Sequence, residues 1–426
     1  MTNWKEYKLG ELCTITSSKR IFYKEYVSEG VPFFRSKEII EKANGNDIST
    51  ELFITKDKFQ EIKDKFGVPL AGDILLTSVG TLGVSYQVQE SDYFYFKDGN
   101  LTWFKDFSDE INTKFLLYWL RSPLGKEGFN SITIGSTQAA LTIAGLKGIK
   151  LSIPDLPTQT AIAEILSSLD DKIELNNKIN QELENLAQTL FKQWFIDFEF
   201  PNENGEPYKS SGGELVDSEL GEIPKGWEVG TFGDLCKVVN GYAFKSKDFE
   251  ETGSNGILKI RNVNGSVVDI INTQFVASDV VASVQEKFRV LTGHILIAMT
   301  GAEVGKTGIV PETNKSLWLN QRVGRFEPII EDTIVFIYHM FTVLNFTQAV
   351  RNSAMGSAQP NISASGIESL NCLIPPNEII LLFSSINQDS FNLALKNLGE
   401  NQELSLLRDA LLPKLITGEL QLNELD

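Results

Sequence analysis

The chain contains 426 residues, of which 42% are hydrophobic and 22% are charged, and its formal net charge is −17. This composition is typical of a soluble globular protein that is long enough to bury more than one hydrophobic core. Three cysteines and two histidines are too few for a disulfide framework, a structural zinc site or a histidine-rich metal site, and they argue against a Ser-His-Asp triad.

The N-terminal segment, Met-Thr-Asn-Trp-Lys-Glu, lacks the basic and then apolar layout of a secretory signal peptide. No apolar run in the chain approaches the ~20 residues of a membrane-spanning helix. The sequence therefore predicts a cytoplasmic protein.

One sequence pattern occurs twice in the chain. The segment WKEYKLGELC at 4–13 matches WEVGTFGDLC at 227–236 without a gap, at an offset of 223 residues. The segment GSTQAALTIAGLKGIKLSIP at 135–154 matches GSAQPNISASGIESLNCLIP at 356–375, at an offset of 221 residues. Because the offset changes by only a few residues, each copy is a whole domain and not a short solenoid repeat.

A weaker match lies between these two. GVPFFRSKEI, which begins at Gly30, resembles GILKIRNVNG, which begins at Gly256. This alignment pairs Arg35 with Arg261. It also pairs Ser36 with Asn262, and we expect the paired residues to serve the same purpose in the two copies.

The sequence divides into two globular domains, two long helices, a linker and a tail. In chain order these are a first globular domain at 1–156, a central helix at 157–200, an acidic linker at 201–226, a second globular domain at 227–376, a C-terminal helix at 377–418 and a tail at 419–426. Both globular copies mix β-rich runs, such as GDILLT, with helical runs, such as INTKFLLYWLRS. This mixture predicts an α+β fold made of two repeated α/β modules.

Each long helical pattern begins just past a proline, Pro157 or Pro376. Its residues recur with the heptad spacing of a coiled-coil seam, which favours two helices packed on each other over two unrelated amphipathic core helices. About 36 residues at 1.5 Å each make each helix roughly 54 Å long. The predicted seam positions are Ile162, Ile165, Leu169, Asn176, Ile179, Leu183, Leu186, Leu190, Phe383, Ile386, Leu404, Leu407 and Leu411.

Two residues of these helices depart from the apolar pattern. Asn176 occupies a seam position, where a buried polar side chain costs stability and fixes register and partner number. Gly399 is a predicted weak point of the second helix, because glycine is a poor helix former.

The negative charge is concentrated outside the globular domains. Residues 1–155 carry a net charge of −1 and residues 227–376 carry −2, whereas residues 156–226 carry −9 and residues 377–426 carry −5. Binding to DNA depends on Lys and Arg that displace counterions from phosphates, so two nearly neutral domains remain compatible with it. The acidic helix surfaces are either simply solvated or dock a basic partner protein.

The segment TGAEVGKTG, which begins at Thr300, resembles a phosphate-binding loop. Such a loop needs four residues between its first glycine and Gly-Lys-Ser/Thr, but only three residues separate Gly301 from Gly305. The equivalent segment of the first copy, TSVGTLGV, has no lysine after its last glycine. We therefore predict a strand and a glycine-rich turn. The alternative is a nucleotide hydrolase, which requires tight ATP binding that Lys306→Ala abolishes.

The globular domains carry basic residues beside amides and hydroxyls, in segments such as SSKRIFYK, KIRNVN and LNQR. Arginine pairs with guanine, and asparagine or glutamine with adenine, through two hydrogen bonds in the major groove of DNA. Ordinary solvated loops have the same composition, so these clusters alone leave both interpretations open.

The complete order of domain, long helix, acidic linker, domain and long helix resembles the specificity (S) subunit of Type I restriction-modification systems. The segment LSIPDLPTQTAIAEILSSLDDKIELNNKINQELENLAQTLFKQWFIDFEFP is similar to the central helix of that family and its exit. GELVDSELGEIPKGWEV is similar to the entry to the second domain, and LLRDALLPKLITGEL to the end of the second helix. GSTQAAL and GSAQPNI are similar to a short motif near the end of each domain.

The resemblance implies a non-catalytic subunit. Each globular domain would be a target recognition domain that reads one half of a bipartite DNA sequence. The halves should differ, since the domains differ most in their interiors. The long helices would pack antiparallel, with pseudo-two-fold symmetry, as a scaffold for methylation subunits, two in the usual assembly.

The resemblance also implies where the cofactors bind. The methylation subunits would transfer methyl groups from S-adenosylmethionine to adenine N6, and restriction subunits would add ATP- and Mg-dependent cleavage. This chain would bind double-stranded DNA and would carry no cofactor or metal of its own. No association with a membrane is expected. The alternative is a DNA-binding adaptor of another defence or recombination system.

The repeat and the resemblance together select candidate DNA-contacting residues. In the first domain they are Lys19, Arg20, Arg35, Ser36, Ser78, Thr81, Ser136 and Gln138. In the second domain they are Lys245, Lys247, Arg261, Asn262, Lys306, Gln321, Arg322, Ser357 and Gln359. For Ser136, Gln138, Ser357 and Gln359 the alternative is turn chemistry that stabilises each domain.

Overall fold

The computed structural model describes residues 4–46, 48–135, 139–344, 346–354 and 360–420. The chain folds as two compact units, which are Met1–Glu174 with Leu404–Asp426, and Leu175–Glu403. Each long helix contributes residues to both units. None of the helices in the described ranges combines the length and the hydropathy that crossing a lipid bilayer requires.

The first unit alternates short strands and short helices. Its strands are β1 (Lys5–Lys8), β2 (Thr14–Thr16), β3 (Val31–Phe34), β4 (Phe53–Ile54), β5 (Ile74–Thr77), β6 (Ser85–Gln87), β7 (Tyr95–Phe96), β8 (Leu101–Lys105) and β9 (Lys150–Ile153). Its short helices are α1 (Leu9–Leu12), α2 (Ser36–Ala43), α3 (Lys56–Phe66), α4 (Thr113–Arg121), α5 (Pro123–Ile132) and α6 (Ile143–Gly148). The long helix α7 (Leu156–Phe195) follows.

Two sheets form the body of the first unit. Strands β2, β8, β5 and β6 form an antiparallel sheet in this order, and every residue of the apolar β5 is buried. Strands β4, β3 and β7 form the other sheet, in which β3 and β7 are parallel. Strand β1 pairs with β9 and so joins the beginning of the globular domain to the strand just before α7.

The second unit has the same plan after a short hairpin of β10 (Leu215–Ser218) and β11 (Gly221–Pro224). Its strands are β12 (Glu228–Thr231), β13 (Cys236–Asn240), β14 (Phe249–Glu250), β15 (Asn255–Leu258), β16 (Gln274–Val276), β17 (Arg289–Val290), β18 (Ile295–Ala298), β19 (Thr307–Ile309), β20 (Ser316–Leu319), β21 (Val323–Pro328) and β22 (Asn371–Ile374). Its helices are α8 (Ser278–Ala282), α9 (Ile334–Val343), α10 (Phe346–Ala354), α11 (Ala364–Glu368) and the long α12 (Asn377–Thr417).

The sheets of the second unit repeat those of the first. Strands β13, β21, β18 and β19 reproduce the four-stranded antiparallel sheet, and β12 pairs with β22 as β1 does with β9. The other sheet has the order β14, β16, β15, β20 and β17, with β15 and β20 parallel. The predicted α+β class and the internal duplication are therefore confirmed.

The long helices run antiparallel within each unit. In the first unit, Ile162 and Leu166 near the start of α7 share a core with Leu415 and Ile416 near the end of α12. In the second unit, Phe191 near the end of α7 lies 5.6 Å, ring to ring, from Phe383 near the start of α12.

The buried face of α7 agrees with one predicted seam row and differs from the other. The row Ile162, Leu169, Asn176, Leu183 and Leu190 is buried or half-buried. The second row lies four residues after each of these, at Leu166, Ile173, Asn180, Ala187 and Trp194, instead of three. Ile165 and Ile179 lie half-buried at its margin, and Leu186 is 69% exposed. The prediction was wrong for Leu186 because Asn180 and Ala187, which occupy the real row, give little apolar signal.

The contact face of α12 is also more polar than its sequence pattern indicated. Phe383 is buried, and Leu404 and Leu411 are half-buried. Ile386 and Leu407 are 53% and 48% exposed, so the seam prediction was wrong for both. The side of the helix that contacts α7 instead carries residues such as Asn401 and Arg408.

Amide side chains join the two helices in the second unit. Asn176 Nδ2 donates to Glu400 Oε2 at 2.8 Å and to Asn401 Oδ1 at 2.9 Å. Asn397 Nδ2 donates to Asn180 Oδ1 at 2.9 Å. Such bonds form at one alignment of the helices only, so they fix the register of the pair.

In the first unit the Asp170 carboxylate fixes the register of the helix pair, and it also binds the globular domain. Asp170 of α7 accepts hydrogen bonds from Arg408 Nη1 of α12 and from the Tyr118 hydroxyl of α4, each at 2.7 Å. The helix pair is thus attached to the domain through a shared, charged acceptor.

Gly399 lies within the continuous helix α12, where the sequence predicted a weak point of the helix. Its role in the structure is to permit a close packing contact. A Cβ added at Gly399 would lie 2.4 Å from the Glu312 carbonyl oxygen. The Glu312 amide donates to the Leu395 carbonyl at 3.0 Å. Glycine therefore allows a loop of the second globular domain to lie directly against the helix backbone.

The predicted linker contains the β10–β11 hairpin and packs on the second unit through aromatic side chains. The ring of Phe200 stacks on Tyr208 at 4.6 Å and on Trp227 at 5.3 Å. Phe198 meets the same Trp227 edge to face at 5.4 Å. The exit of α7 is therefore part of the second core.

We expect Asn176→Ala to lower the free energy of unfolding by about 1–3 kcal/mol, because it leaves the partner groups on α12 without their donor. Urea unfolding followed by circular dichroism measures the change. Asn185→Ala is the matched control on the exposed side of α7, and it should stay within about 0.5 kcal/mol of the unaltered protein. Equal effects of the two variants would contradict the assignment of Asn176 as a register-fixing residue.

Candidate nucleic-acid interface

The same glycine-rich turn follows the central buried strand of each unit. Gly80 and Gly83 follow β5 with φ of +80° each, and Gly301 and Gly305 follow β18 with φ of +79° and +82°. Glycine adopts this backbone region without strain. The turn after β18 leads into the antiparallel strand β19 and not into a helix, so it lacks the helix N-terminus on which a phosphate-binding loop depends.

The segment after each Gly-Ser-x-Gln motif is hydrogen bonded to this turn. In the first unit the Leu141 amide donates to the Ser78 carbonyl at 2.9 Å. In the second unit the Ile362 amide donates to the Met299 carbonyl at 3.0 Å. The motif residues Ser136, Gln138, Ser357 and Gln359 lie outside the described residues, so their DNA-contacting role stays a prediction.

A third segment, the loop between β7 and β8 or between β20 and β21, contacts the other side of the turn. The Ser78 amide donates to the Asn100 carbonyl at 2.8 Å. In the second unit the Met299 amide donates to the Arg322 carbonyl at 3.0 Å. The two bonds occupy equivalent positions in the two copies.

A fourth segment, the chain that leaves β2 or β13, lies against the third. The Arg20 guanidinium binds the Asp98 carboxylate at 2.8 Å, and the Gly99 amide donates to Ser17 Oγ at 3.3 Å. In the second unit the Gln321 amide donates to the Tyr242 carbonyl at 2.8 Å. We name the four segments of each unit its loop cluster: 17–20, 78–83, 97–100 and 139–141 in the first, and 241–247, 299–306, 320–322 and 360–362 in the second.

The first loop cluster brings several predicted residues together. Lys19, Arg20 and Thr81 are exposed within it. Ser36, the first residue of α2, lies beside it, with Oγ 3.5 Å from the Asn100 carbonyl oxygen. Arg35 holds the buried Glu38 carboxylate at 2.6 Å, and this hydrogen bond raises the pKa of Arg35.

Ser78 does not belong among the DNA-contacting candidates. Its side chain is 2% exposed, and its hydroxyl lies 2.6 Å from Thr102 Oγ1. A hydroxyl that is buried and already paired cannot reach a base edge, so the prediction was wrong for this residue.

The second loop cluster presents another set of predicted residues. Lys245, Lys247 and Gln321 are exposed, and Arg322 lies at the turn between β20 and β21. Arg322 adopts a φ of +75°, and its Nη1 lies 3.4 Å from Thr300 Oγ1. Lys306 is half-buried and forms an ion pair with Glu303 of the same turn.

The structure corrects the alignment that paired Arg35 with Arg261. The Arg35 amide donates to Glu38 Oε2 at 2.7 Å at the end of β3, and the Lys259 amide donates to Asn262 Oδ1 at 3.0 Å at the end of β15. Arg35 is therefore equivalent to Lys259, and Glu38 to Asn262. Sequence analysis paired Arg35 with Arg261 and not with Lys259, because the polar segment after β15 aligns equally well two residues later.

Asn262 is a structural residue, and the prediction of DNA contact was wrong for it. It is 1% exposed, and its Nδ2 donates to the carbonyls of Asp269 at 3.0 Å and Asn272 at 3.2 Å. Arg261 beside it is exposed. The neighbouring Lys259 ammonium lies 3.4 Å from the Phe249 ring centroid, and burial lowers its pKa, with a further contribution from Arg261.

Burial shifts the pKa values of two cysteines and of one histidine in the direction that favours their uncharged forms. Burial raises the pKa of Cys13 and of Cys372 to about 12. Burial, with a contribution from Arg325, lowers the pKa of His294 to about 4. Within the described ranges, no group of three or more His, Cys, Asp or Glu side chains has an arrangement that could hold a metal ion. The loop clusters instead present ammonium, guanidinium, amide and hydroxyl groups, which suit hydrogen bonding to phosphates and base edges.

Comparisons with known proteins agree with the duplicated plan. The family model for the Type I restriction modification DNA specificity domain matches residues 1–185 and again residues 224–404. The Type I restriction enzyme HindI specificity subunit of Haemophilus influenzae is 26% identical over 474 aligned residues, which span 99% of this chain and 100% of that protein. The MjaIX specificity subunit of Methanocaldococcus jannaschii is 31% identical over 74% of this chain and 71% of its own length.

A solved structure shows the same fold. The crystal structure of a Type-I restriction-modification system S subunit from M. genitalium aligns with a TM-score of 0.59 at 17% identity. The alignment covers 97% of this chain and 96% of that chain.

Adjacent residues of the second unit provide a test of the interface. Arg261→Ala should leave the free energy of unfolding unchanged and weaken DNA binding by about 1–3 kcal/mol, for one half-site if Arg261 contacts a base and for all sequences alike if it contacts a phosphate. Asn262→Ala should lower the free energy of unfolding by about 1–3 kcal/mol, because it removes buried hydrogen bonds.

Urea unfolding measures the stability of each variant, and a DNA-binding assay on the assembled complex measures its affinity for DNA. Unchanged DNA binding in the Arg261 variant would remove that residue from the interface. An Asn262 variant with unchanged stability would contradict its structural role.

Proposed function

We infer that this chain, which belongs to the Type I restriction-modification DNA specificity family, is the subunit that selects the DNA sequence in a Type I restriction-modification complex. The observation that carries the proposal is the duplicated loop cluster. The same backbone hydrogen bonds frame it in both units, while the side chains that it exposes differ.

Each globular domain, in this proposal, contacts one half of a bipartite target. Exposed basic residues such as Arg20 and Arg322 hold phosphates or guanines, and amides such as Gln321 pair with adenine. Because equivalent positions carry different side chains, Asn100 in the first unit and Arg322 in the second, the two half-sites have different sequences.

The chemistry belongs to other subunits. Methylation subunits, two in each complex, would supply S-adenosylmethionine and methylate adenine N6, and restriction subunits would supply ATP- and Mg-dependent cleavage. Support for this division comes from the Cys13 and Cys372 thiols, since burial raises the pKa of each to about 12 and a protonated thiol is a poor nucleophile.

The exposed sides of the long helices are suited to docking the methylation subunits. The residues that the seam prediction misplaced, Leu186, Ile386 and Leu407, are exposed on these helices. Leu175, Leu393 and Leu406 are also between 44% and 51% exposed. Exposed leucines on an otherwise acidic helix surface offer apolar area to a partner helix, with charge to orient it.

The proposal is tested by mapping methylated adenines in the genome of a host with and without the gene. We expect one asymmetric, interrupted sequence to lose its methylation when the gene is deleted and to regain it when the gene is restored. Unchanged methylation would contradict the proposal and would favour a DNA-binding adaptor of another system. Methylation by the purified chain alone would contradict the division of labour.

Lengthening the helix pair should change the gap between half-sites and leave their sequences unchanged. Seven residues inserted after Glu174 in α7 and seven after Glu403 in α12 keep the heptad phase and add about 10.5 Å. At 3.4 Å for each base pair, the gap should grow by about three base pairs. The methylation map of a host that carries this variant measures the gap. Altered half-site sequences would show that the helices do more than set the separation.

A further inference from the structure

One short turn differs in chemistry between the two units although its backbone is the same. In the first unit Phe22 precedes a single 3-10 turn at Tyr23–Glu25, and in the second unit Lys245 precedes the 3-10 turn Ser246–Asp248. The first turn follows the fourth segment of its loop cluster, the second turn overlaps the end of that segment, and both precede the parallel strand, β3 or β15. The offset between them is 223 residues, the same as that of the N-terminal repeat, so Phe22 is equivalent to Lys245 and Tyr23 to Ser246.

In the first unit this turn exposes two aromatic rings. Tyr23 is 89% exposed and Phe22 is 58% exposed. Large apolar side chains on a loop tip are costly to leave in water, and exposed aromatic residues are enriched where proteins bind partners. We name Phe22 and Tyr23 the aromatic tip.

Hydrogen bonds and one ring contact support the backbone of the aromatic tip. The Phe22 amide donates to Glu25 Oε2 at 2.8 Å, and Glu25 Oε1 binds the Lys58 ammonium of α3 at 3.0 Å. The Tyr23 ring meets the Tyr26 ring edge to face at 6.2 Å. A turn whose backbone is already held in place loses less backbone entropy when it binds, so more of its contact area contributes to affinity.

The surroundings of the aromatic tip are basic. Lys19 and Arg20 precede it in the loop cluster, and Lys24 lies within the turn. The Arg20 guanidinium is 66% exposed although it contacts Asp98. Charge complementarity therefore favours a polyanion as the partner of this surface.

The second unit presents Lys245 where the first presents the Phe22 ring and Ser246 where it presents the Tyr23 ring, whereas Lys247 is equivalent to Lys24. Lys245 and Lys247 are exposed at the equivalent turn. The nearest aromatic side chain, Phe244, is 6% exposed and packs in the core, 4.9 Å from the Tyr242 ring. The equivalent surface of the second unit is therefore charged and has no exposed ring among these residues.

We propose that Phe22 and Tyr23 pack against base pairs of the first half-site, whereas Lys245 and Lys247 bind only phosphates of the second. This inference rests on the proposed function and names a difference between the two domains. An aromatic ring offers no charge to a phosphate, although the Tyr23 hydroxyl can donate one hydrogen bond to it, whereas both rings gain stacking or methyl contacts from bases. The lysine turn gains counterion release, which is independent of sequence.

The test compares Tyr23→Ala and Phe22→Ala with Lys245→Ala and Lys247→Ala in the complex assembled with its methylation subunits. Each aromatic variant should bind the cognate duplex about tenfold more weakly, with unchanged binding to a duplex whose first half-site is scrambled. Its slope of log affinity against log salt should stay the same. Each lysine variant should weaken binding to both duplexes and reduce that slope by about one.

Tyr23→Phe is the matched control, because it keeps the ring and should keep cognate affinity. Thermal unfolding should be nearly unchanged in all five variants, since the altered side chains are largely exposed. Equal loss on cognate and scrambled duplexes in Tyr23→Ala would overturn the inference. So would a loss of assembly with the methylation subunits, which would make the aromatic tip a protein contact.

The inference and the proposed function fail in distinguishable ways. If the unaltered complex binds every bipartite duplex no more tightly than a scrambled duplex, the proposed function is wrong, and the inference is wrong with it. If the unaltered complex discriminates and the aromatic variants match it, only the inference is wrong.

Discussion

The pairing of α7 with α12 through partly buried hydrogen bonds is the constraint on which the rest of the structure depends. Apolar seams tolerate sliding, because one leucine replaces another with little loss. Amide pairs such as Asn176 with Asn401, and the carboxylate of Asp170 with Arg408, tolerate none. A shift of one helical turn would break the hydrogen bonds between these buried and half-buried groups. Polar residues thus give this helix pair its uniqueness, while the aromatic and aliphatic residues near its ends give it stability.

The two units share the backbone hydrogen bonds of the loop cluster and differ in the side chains that the cluster exposes. Both loop clusters are held by bonds between backbone atoms, such as those from Leu141 to Ser78 and from Ile362 to Met299. Backbone bonds do not depend on the identity of the side chain, so surface residues can change without loss of the frame. The positive φ of the glycines in each turn is a sequence requirement that both copies share.

Much of this architecture was predictable from sequence, and the failures have physical causes. Repeats and long heptad patterns report whole domains and whole helices, so the order of elements was found. The second seam row was misplaced because Asn180 and Ala187 make contacts that hydropathy does not register. The alignment of Arg35 with Arg261 failed by two residues, since only the hydrogen bond from the Lys259 amide to Asn262 shows where the turn begins.

Exposure was the least predictable property of the candidate site. Ser78 and Asn262 have the composition of DNA-contacting residues, but each satisfies a buried backbone or side-chain group. Phe22 and Tyr23 have the composition of core residues and are exposed. A single sequence does not distinguish these cases, because the same residue types serve turns, cores and interfaces. Only the hydrogen-bond partners and the exposed fraction of each side chain decide between them.

The aromatic packing of Trp227 against Phe198 and Phe200 limits which second domains could replace the present one after this helix. Trp227 begins the second globular domain, whereas its ring partners belong to the exit of the preceding helix. A foreign second domain placed after this helix would therefore need a large, flat side chain at the position of Trp227. A smaller side chain would leave a cavity against the rings of Phe198 and Phe200.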